Sequence, residues 1–479
     1  MNAQHNPSEP LDCLFSPRSV AVVGASAAQD KVGSICLSNL IQGGFKGRIY
    51  PVNPSLSEVM GIKAYPAVGA IPDEIDLALI VIPAPLTVAT IEDCADKDVK
   101  VAIIISGGFK ELGTEDGLDL QAKLQVIAGR CGMRIVGPNT VGIANPAAHL
   151  IASFQSSFSL AQKGRVAVVS QSGGVCVYIV HALTNQGTGI SKAIGLGNRC
   201  NLDFEDLISY LADDKDTRVI ALYVEGVEHP RRLMAAARRA VERKPIVVLK
   251  GGRDVQSRQA TFSHTGALAG PYEIYRAAFR QSGMIVAESI VQLVDTIKAL
   301  TFYPPPAGDR VAVLSVQAGP GIMIADSCRE QGLRLAEFSP ATAKRLRQLI
   351  PPMNFVGNPV DISWKFAEFE ASREIINTVL ADDGVDSVIL AAVFYHADDM
   401  ELMRAAMDVA RSPHKPIVVC LDSPCGLAAA QIESLEASGI PTYPFPERAV
   451  TGVAGLVKYG SITANHAVSW ETSWQRRYP

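Results

Sequence analysis

Val166-Ala167-Val168-Val169-Ser170-Gln171-Ser172-Gly173-Gly174 is an unbroken apolar run that ends in hydroxyls and glycines, and a helical pattern begins near Val175. A run without period-two alternation marks a strand buried on both faces, as in a parallel sheet covered by helices. Similar runs recur at residues 20–23, 77–82, 101–105, 219–224, 311–314, 388–393 and 417–420, most followed by a glycine or proline turn. Amphipathic stretches such as residues 231–243 and 340–349 lie between them. The pattern predicts repeated βα units, hence an α/β fold of doubly wound domains.

Two breaks divide the chain. The polar stretch 153–164, around Gln155-Ser156-Ser157-Phe158-Ser159, precedes one strand, and Tyr303-Pro304-Pro305-Pro306-Ala307-Gly308 precedes another. The expected domains are 1–153, 165–303 and 309–479, each of ordinary size.

Bulk composition excludes several function classes. Among 479 residues, 48% are hydrophobic and 19% charged, and the net charge of −4 gives no reason to expect nucleic acid or an anionic membrane as partner. The 9 cysteines are scattered without a C-x-x-C pair, which is the usage of reduced thiols and not of a zinc site or disulfide frame. Residues 1–10 are polar with no apolar h-region, and the longest apolar stretches are short and broken by Pro83 and Pro85. No secretory leader, no bilayer span and a cytoplasmic location are therefore expected.

The turns after the strands carry the candidate chemistry. Gly24-Ala25-Ser26, with Lys31 and Gly33 beyond, looks like a phosphate turn, yet the G-x-G-x-x-G spacing is absent. The second strand ends in Pro51-Val52-Asn53-Pro54, without the acidic residue that an NAD enzyme uses on its ribose. Pro83, Ser106-Gly107-Gly108 and Gly137-Pro138-Asn139 end further strands and would line the same crevice. They suit a nucleotide-containing ligand that needs no acidic clamp, and the plainer alternative is a set of ordinary tight turns.

Ser170, Gln171, Ser172, Gly173 and Gly174 open a helix whose free N–H groups and partial positive charge would hold phosphate. Gly319 and Gly321, in Ser315-Val316-Gln317-Ala318-Gly319-Pro320-Gly321, form a second turn of that kind. His264 lies in the small, hydroxyl-rich stretch Ala260-Thr261-Phe262-Ser263-His264-Thr265-Gly266, with room for a phosphoryl group on its ring. Glu225 follows a buried strand, and if it reaches His264 it would fix the tautomer and stabilise positive charge. Otherwise His264 is a loop residue bonded to backbone and Glu225 a solvated strand-end carboxylate.

Together these segments resemble the α subunit of the NDP-forming acyl-CoA synthetases, relatives of succinyl-CoA synthetase. The resemblance runs from Leu14 to about Lys458 and rests on the order of several weak motifs. These are Val23-Gly24-Ala25-Ser26, Pro51-Val52-Asn53-Pro54, Gly137-Pro138-Asn139, Ser170-Gln171-Ser172-Gly173-Gly174, Gly197-Asn198 with Asp203-Phe204, Glu225-Gly226, Ser263-His264-Thr265-Gly266 and Gly357-Asn358-Pro359-Val360-Asp361.

The resemblance implies a Rossmann-like CoA-binding domain followed by two flavodoxin-like domains. It implies CoA at Gly24, Ser26, Lys31, Asn53, Pro83, Ser106, Gly107 and Asn139, phosphohistidine at His264 and a supporting carboxylate at Glu225. The implied reaction is acid + CoA + ATP ⇌ acyl-CoA + ADP + phosphate, through an acyl phosphate. No segment resembles an ATP-grasp module, so ATP and magnesium are expected on a separate β subunit in a heterotetramer, with no metal site of the chain's own. A small carboxylic acid is the expected substrate. A CoA-binding regulatory protein and an NAD-dependent oxidoreductase are the competing readings.

Overall fold

The computed structural model describes residues 9–254, 271–363, 365–393, 401–412, 415–423 and 426–464. The chain divides into two compact units, Met1–Ile290 and Val291–Pro479.

The first unit holds two large sheets. Strands β1 (Ser19–Val23), β2 (Arg48–Val52), β5 (Leu77–Ile80), β6 (Val101–Ile104) and β7 (Arg134–Val136) form a parallel sheet in the order β2-β1-β5-β6-β7. A small hairpin, β3 (Glu58–Val59) with β4 (Ile62–Lys63), stands apart from it. Strands β8 (Gly142–Asn145) and β9 (Leu150–Ser153) form an antiparallel pair. They extend a parallel set of β10 (Lys163–Ser170), β11 (Ile190–Gly195), β12 (Val219–Val224), β13 (Ile246–Lys250) and β14 (Ile285–Ala287). The order is β14-β13-β12-β10-β11-β8-β9.

The β8–β9 hairpin falls within residues 1–153, the expected first domain, yet its β8 pairs with β11 of the second sheet. Apolar pattern identifies a strand but not which sheet edge supplies its hydrogen bonds. The edge left open by β11 supplies them here.

The second unit repeats the plan. Strands β15 (Arg310–Ser315), β16 (Arg334–Leu335), β18 (Ser387–Val393), β19 (Ile417–Asp422) and β20 (Thr442–Tyr443) run in the order β16-β15-β18-β19-β20, and β17 (Val360–Asp361) also pairs with β15. Alternate residues of one strand enter two different cores. Val311 and Val313 pack with Ile389 and Val418 on one face, while Ala312 and Leu314 pack with Leu390 and Val419 on the other. Both faces are buried, so the sequence shows continuous apolar runs. Each buried Val, Leu or Ile stabilises the fold by about 1.5–3 kcal/mol relative to exposure.

All three parallel sets share one topology. The first strand is flanked by the second on one side and the third on the other, so the crossovers part at the carboxyl ends of the first and third strands. Ligands bind at that parting in open α/β sheets. In the first sheet it lies between β1 and β5, in the second between β10 and β12, and in the third between β15 and β18.

Among the described residues no helix is long and apolar enough to cross a membrane. No group of three His, Cys, Asp or Glu side chains among them could hold a metal ion. The thiols of Cys36, Cys94, Cys176, Cys200, Cys328 and Cys420 are pushed by burial up to about 12, which suppresses the reactive thiolate.

Candidate active site

The first sheet builds a tight crevice at the parting of β1 and β5. Gly24 adopts φ of 92° and donates its N–H to Val52 O at 3.0 Å. A Cβ there would sit 2.6 Å from Val81 O, and one on Gly33 would sit 2.0 Å from Gly24 O. The helix Val32–Gln42 therefore packs its first turn directly on the glycine turn, with Lys31 at its N-cap and no side chain capping it. An uncapped helix N-terminus of this kind can hold an anionic ligand. Pro83 is the N-cap of the helix Ala84–Asp96, on the other side of the parting.

Three of the expected CoA-binding side chains make ties within the crevice wall. Asn53 Nδ2 donates to Ala25 O at 2.8 Å, joining the β1 and β2 turns. Ser26 Oγ accepts from Ala28 N at 3.1 Å, and Ser106 Oγ donates to Ile82 O at 2.5 Å. Asn139, at φ of 59°, donates its backbone N–H to Ser106 O at 2.9 Å. Gly107 lies against Glu111, since a Cβ there would sit 3.0 Å from its Oε1.

The second sheet places its turn and its carboxylate on opposite sides of its own parting. Ser170 Oγ donates to Ser172 O at 2.6 Å, and Ser172 Oγ accepts from Val175 N at 3.4 Å to cap the helix Gly173–Asn185. Gln171 Oε1 accepts the N–H groups of Glu225 at 2.9 Å and Gly226 at 3.0 Å. Glu225 is buried and hydrogen bonded to the Tyr223 hydroxyl, whose pKa is raised by burial first and then by the carboxylate's charge. Tyr223 in turn needs Gly251, where a Cβ would sit 2.2 Å from its hydroxyl oxygen. The buried Lys250 donates to Gly251 O and holds its Nζ 4.7 Å from the centre of the Tyr275 ring. His264 lies outside the described residues.

The two sheets are stitched together at this edge. Asn198 N donates to Pro138 O at 2.9 Å, Cys200 N to Gly137 O at 2.9 Å, and Gly137 N to Leu196 O at 3.2 Å. Gly197, at φ of 56°, leaves no space for a side chain, because a Cβ would sit 2.4 Å from Pro138 O. Asn198 Nδ2 donates to Glu111 Oε2 at 2.5 Å and Gln121 Oε1 at 3.0 Å. Glu111 also accepts from Gly108 N at 2.6 Å and Phe109 N at 3.2 Å. Burial pushes its carboxyl pKa up, but these bonds outweigh it and the net shift is downward.

A cavity of about 400 Å³ lies where the stitched turns meet. It brings together the expected residues Asn139, Gln171, Ser172, Gly173 and Gly174. Gly24, Ser26, Lys31, Asn53, Pro83, Ser106, Gly107, Ser170 and Glu225 are not in its lining. Phe154 and Val177, which sequence reasoning passed over, do line it. So does Asn198, known beforehand only as part of a motif, while Glu111 holds Asn198 from behind. A larger cavity of about 1240 Å³ borders Arg134, Arg199 and the helices Phe204–Asp213 and Pro230–Val241. Its charged groups largely pair with one another, as Arg199 does with Asp203 and Glu228, and it holds none of the glycine turns. The smaller cavity, in contrast, gathers Asn139 and the Gln171–Gly174 turn.

The third sheet repeats the turn within its own unit. Ser315 Oγ donates to Gln317 O at 2.5 Å, as Ser170 does to Ser172. Gly321 packs closely on the strand, since a Cβ would sit 3.0 Å from Ser315 Cβ. Gly319 has open space around it. Gln317 exchanges hydrogen bonds with the backbone of Val393, at 3.3 Å and 3.2 Å.

Three family models match the chain in succession: a CoA binding domain over residues 18–146, a succinyl-CoA ligase like flavodoxin domain over 163–300, and a ligase-CoA domain over 311–468. The α subunit of acetate–CoA ligase (ADP-forming) II of Pyrococcus furiosus is 40% identical over 459 residues, covering 94% of this chain and 97% of that subunit. Acetate–CoA ligase (ADP-forming) I of Archaeoglobus fulgidus is also 40% identical, and the match covers 96% of this chain but 65% of that longer protein. The structure of dinucleotide forming acetyl-coenzyme A synthetase 1 of Ca. Korarchaeum cryptofilum, with phosphate and ADP, superposes with a TM-score of 0.88 at 33% identity, covering 96% of this chain and 99% of that one. With its turns and carboxylate arranged as above, the chain belongs to the ADP-forming acetate–CoA ligase α subunits of the succinyl-CoA synthetase-like superfamily.

Proposed function

We propose that this chain is the CoA-binding and phosphohistidine-bearing subunit of an ADP-forming acid–CoA ligase. The reaction is acid + CoA + ATP ⇌ acyl-CoA + ADP + phosphate. The observation that carries the reading is the meeting of Asn139, from the CoA-side crevice, with Gln171–Gly174 around one cavity, while Gln171 holds Glu225 behind it. A protein that only bound CoA would have no use for a phosphate turn tied to a buried carboxylate.

In the direction of acyl-CoA consumption, a phosphate held by the N–H groups of Gly173 and Gly174 attacks the thioester carbonyl. A C–O bond forms, the C–S bond breaks, and CoA leaves as its thiolate to be protonated. The helix N-terminus stabilises the developing negative charge. The acyl phosphate then passes its phosphoryl group to His264 and releases the acid. Glu225 stabilises the charged imidazole at that step, and Gln171 and Tyr223 fix the carboxylate. CoA enters along the β1–β5 crevice, where Gly24 and Gly33 make the close approach its phosphates require.

A partner subunit accompanies this chain, as the α-subunit relatives imply. We propose that it is an ATP-grasp β subunit, that it supplies the nucleotide and magnesium sites, and that the assembly is a cytoplasmic heterotetramer. The matched share of 65% in the longer relative fits a nucleotide module lying outside the aligned region. The functional division close to 1–153, 165–303 and 309–479 belongs to this proposal. Mixing the purified chain with ATP, CoA and acid tests it: no acyl-CoA forms until the partner is added. ATP-driven turnover by a verified partner-free preparation would overturn the division of labour.

A further inference from the structure

The cavity has an apolar wall that phosphate chemistry does not need. Ile105 follows β6, Val141 precedes β8, Phe154 follows β9, and Val177 stands one helical turn beyond Gly173 on the same face. Val141 is wedged in place, because Cβ atoms on Gly173 and Gly195 would sit 3.1 Å and 2.6 Å from it. Phe154 is 38% exposed and Val177 half-buried, so both present surface to the cavity, while Ile105 and Val141 are buried behind them. An apolar surface beside the helix N-terminus is where the tail of an acyl group would lie once its carbonyl met the bound phosphate.

We propose that Phe154 and Val177 are specificity-determining residues that set the bulk of the acyl tail, and that this tail is uncharged. The inference rests on the acyl-transfer reading above. No charged side chain lines the cavity among the described residues. Three of its amides are already engaged: Asn198 with Glu111 and Gln121, Gln171 with the Glu225 turn, and Gln155 with Ser157. A second carboxylate on the tail would lose water without gaining a counter-charge, which selects against dicarboxylic acids. Phe154 and Val177 come from different elements and face the same space, so shortening one lengthens the slot and enlarging the other closes it.

The test is phosphate-dependent cleavage of acetyl-, isobutyryl-, phenylacetyl- and succinyl-CoA by the full chain, reading free thiol and trapping the acyl phosphate as its hydroxamate. Succinyl-CoA is expected to fall roughly 100-fold below the best monoacyl thioester in kcat/KM. Phe154→Ala raises the phenylacetyl-to-acetyl ratio about tenfold or more, and Val177→Phe lowers it by a similar factor. A ratio taken within one protein cancels differences in folded fraction, and either variant decides if the other fails to fold. Succinyl-CoA cleaved as well as the best monoacyl thioester, or ratios unmoved by the variants, would overturn the inference. No phosphate-dependent cleavage of any thioester would instead overturn the acyl-transfer reading, and this inference with it.

Discussion

The side-chain oxygen of Gln171 accepts the backbone N–H groups of both Glu225 and Gly226, at 2.9 and 3.0 Å. The Ser170–Gly174 turn after β10 and the Glu225 turn after β12 are thereby one hydrogen-bonded body. Since this is the parting of the second sheet, the bond joins two roles that a sequence reading treats separately.

Gln171→Ala removes that acceptor and leaves two buried N–H groups unpaired, a cost of about 1–3 kcal/mol in stability. Gln171→Glu keeps an acceptor but sets a negative charge beside the phosphate position. Thermal melts with phosphate titrations separate the effects. The alanine variant loses stability, whereas the glutamate variant recovers it and shows a raised KM for phosphate. Equal stability of wild type and alanine variant would show that the bond does no structural work.

Gly33→Ala probes the CoA crevice. The new Cβ would meet Gly24 O at 2.0 Å, so the helix Val32–Gln42 must lift from the turn. Calorimetric titration is expected to show CoA affinity reduced by about tenfold or more, from about 1.4 kcal/mol of lost contact. Gly129→Ala, in the helix Glu115–Cys131 with nothing near its Cβ, serves as the control. It leaves CoA binding unchanged and stabilises the fold by about 0.4–1 kcal/mol.

The first and third sheets each carry, at their own amino end, a separate acid-sensitive arginine–aspartate clamp. Arg18 donates to Asp76 at 2.7, 2.8 and 3.0 Å, and Arg310 donates to Asp386 at 2.8, 2.8 and 2.9 Å. The arginine hydrogen bonds hold both carboxyls below the usual carboxylate range. A depressed carboxylate contributes stability above its unfolded pKa, about 3.9, and loses it as pH falls through the folded value. Melting temperature measured from about pH 7 to about pH 3 falls on the acid side, and an Asp76→Asn, Asp386→Asn double variant shows a shallower fall. An unchanged acid limb in the double variant would assign it to other carboxylates.

The fold was legible because β10, β15, β18 and β19 are buried on both faces, which the apolar runs record directly. Glycine turns were legible where a close approach demands glycine, as at Gly24 and Gly33. The β8–β9 hairpin was not assignable to its sheet, because strand pattern carries no record of the partner edge. Phe154 and Val177 were hidden for a similar reason. Each reads as ordinary apolar filling, and the two meet only in the folded chain, in a cavity they line together with Asn139, Gly197 and Asn198. Glu111 escaped notice because its side-chain partner, Asn198, lies 87 positions away in sequence.

Labelling with γ-phosphoryl ATP, in the complex of this chain with its partner subunit, decides whether His264 carries the phosphoryl group. An acid-labile, base-stable label on this chain, lost in His264→Asn and discharged by ADP, is the expected result. A label of the same stability that persists in His264→Asn would contradict it.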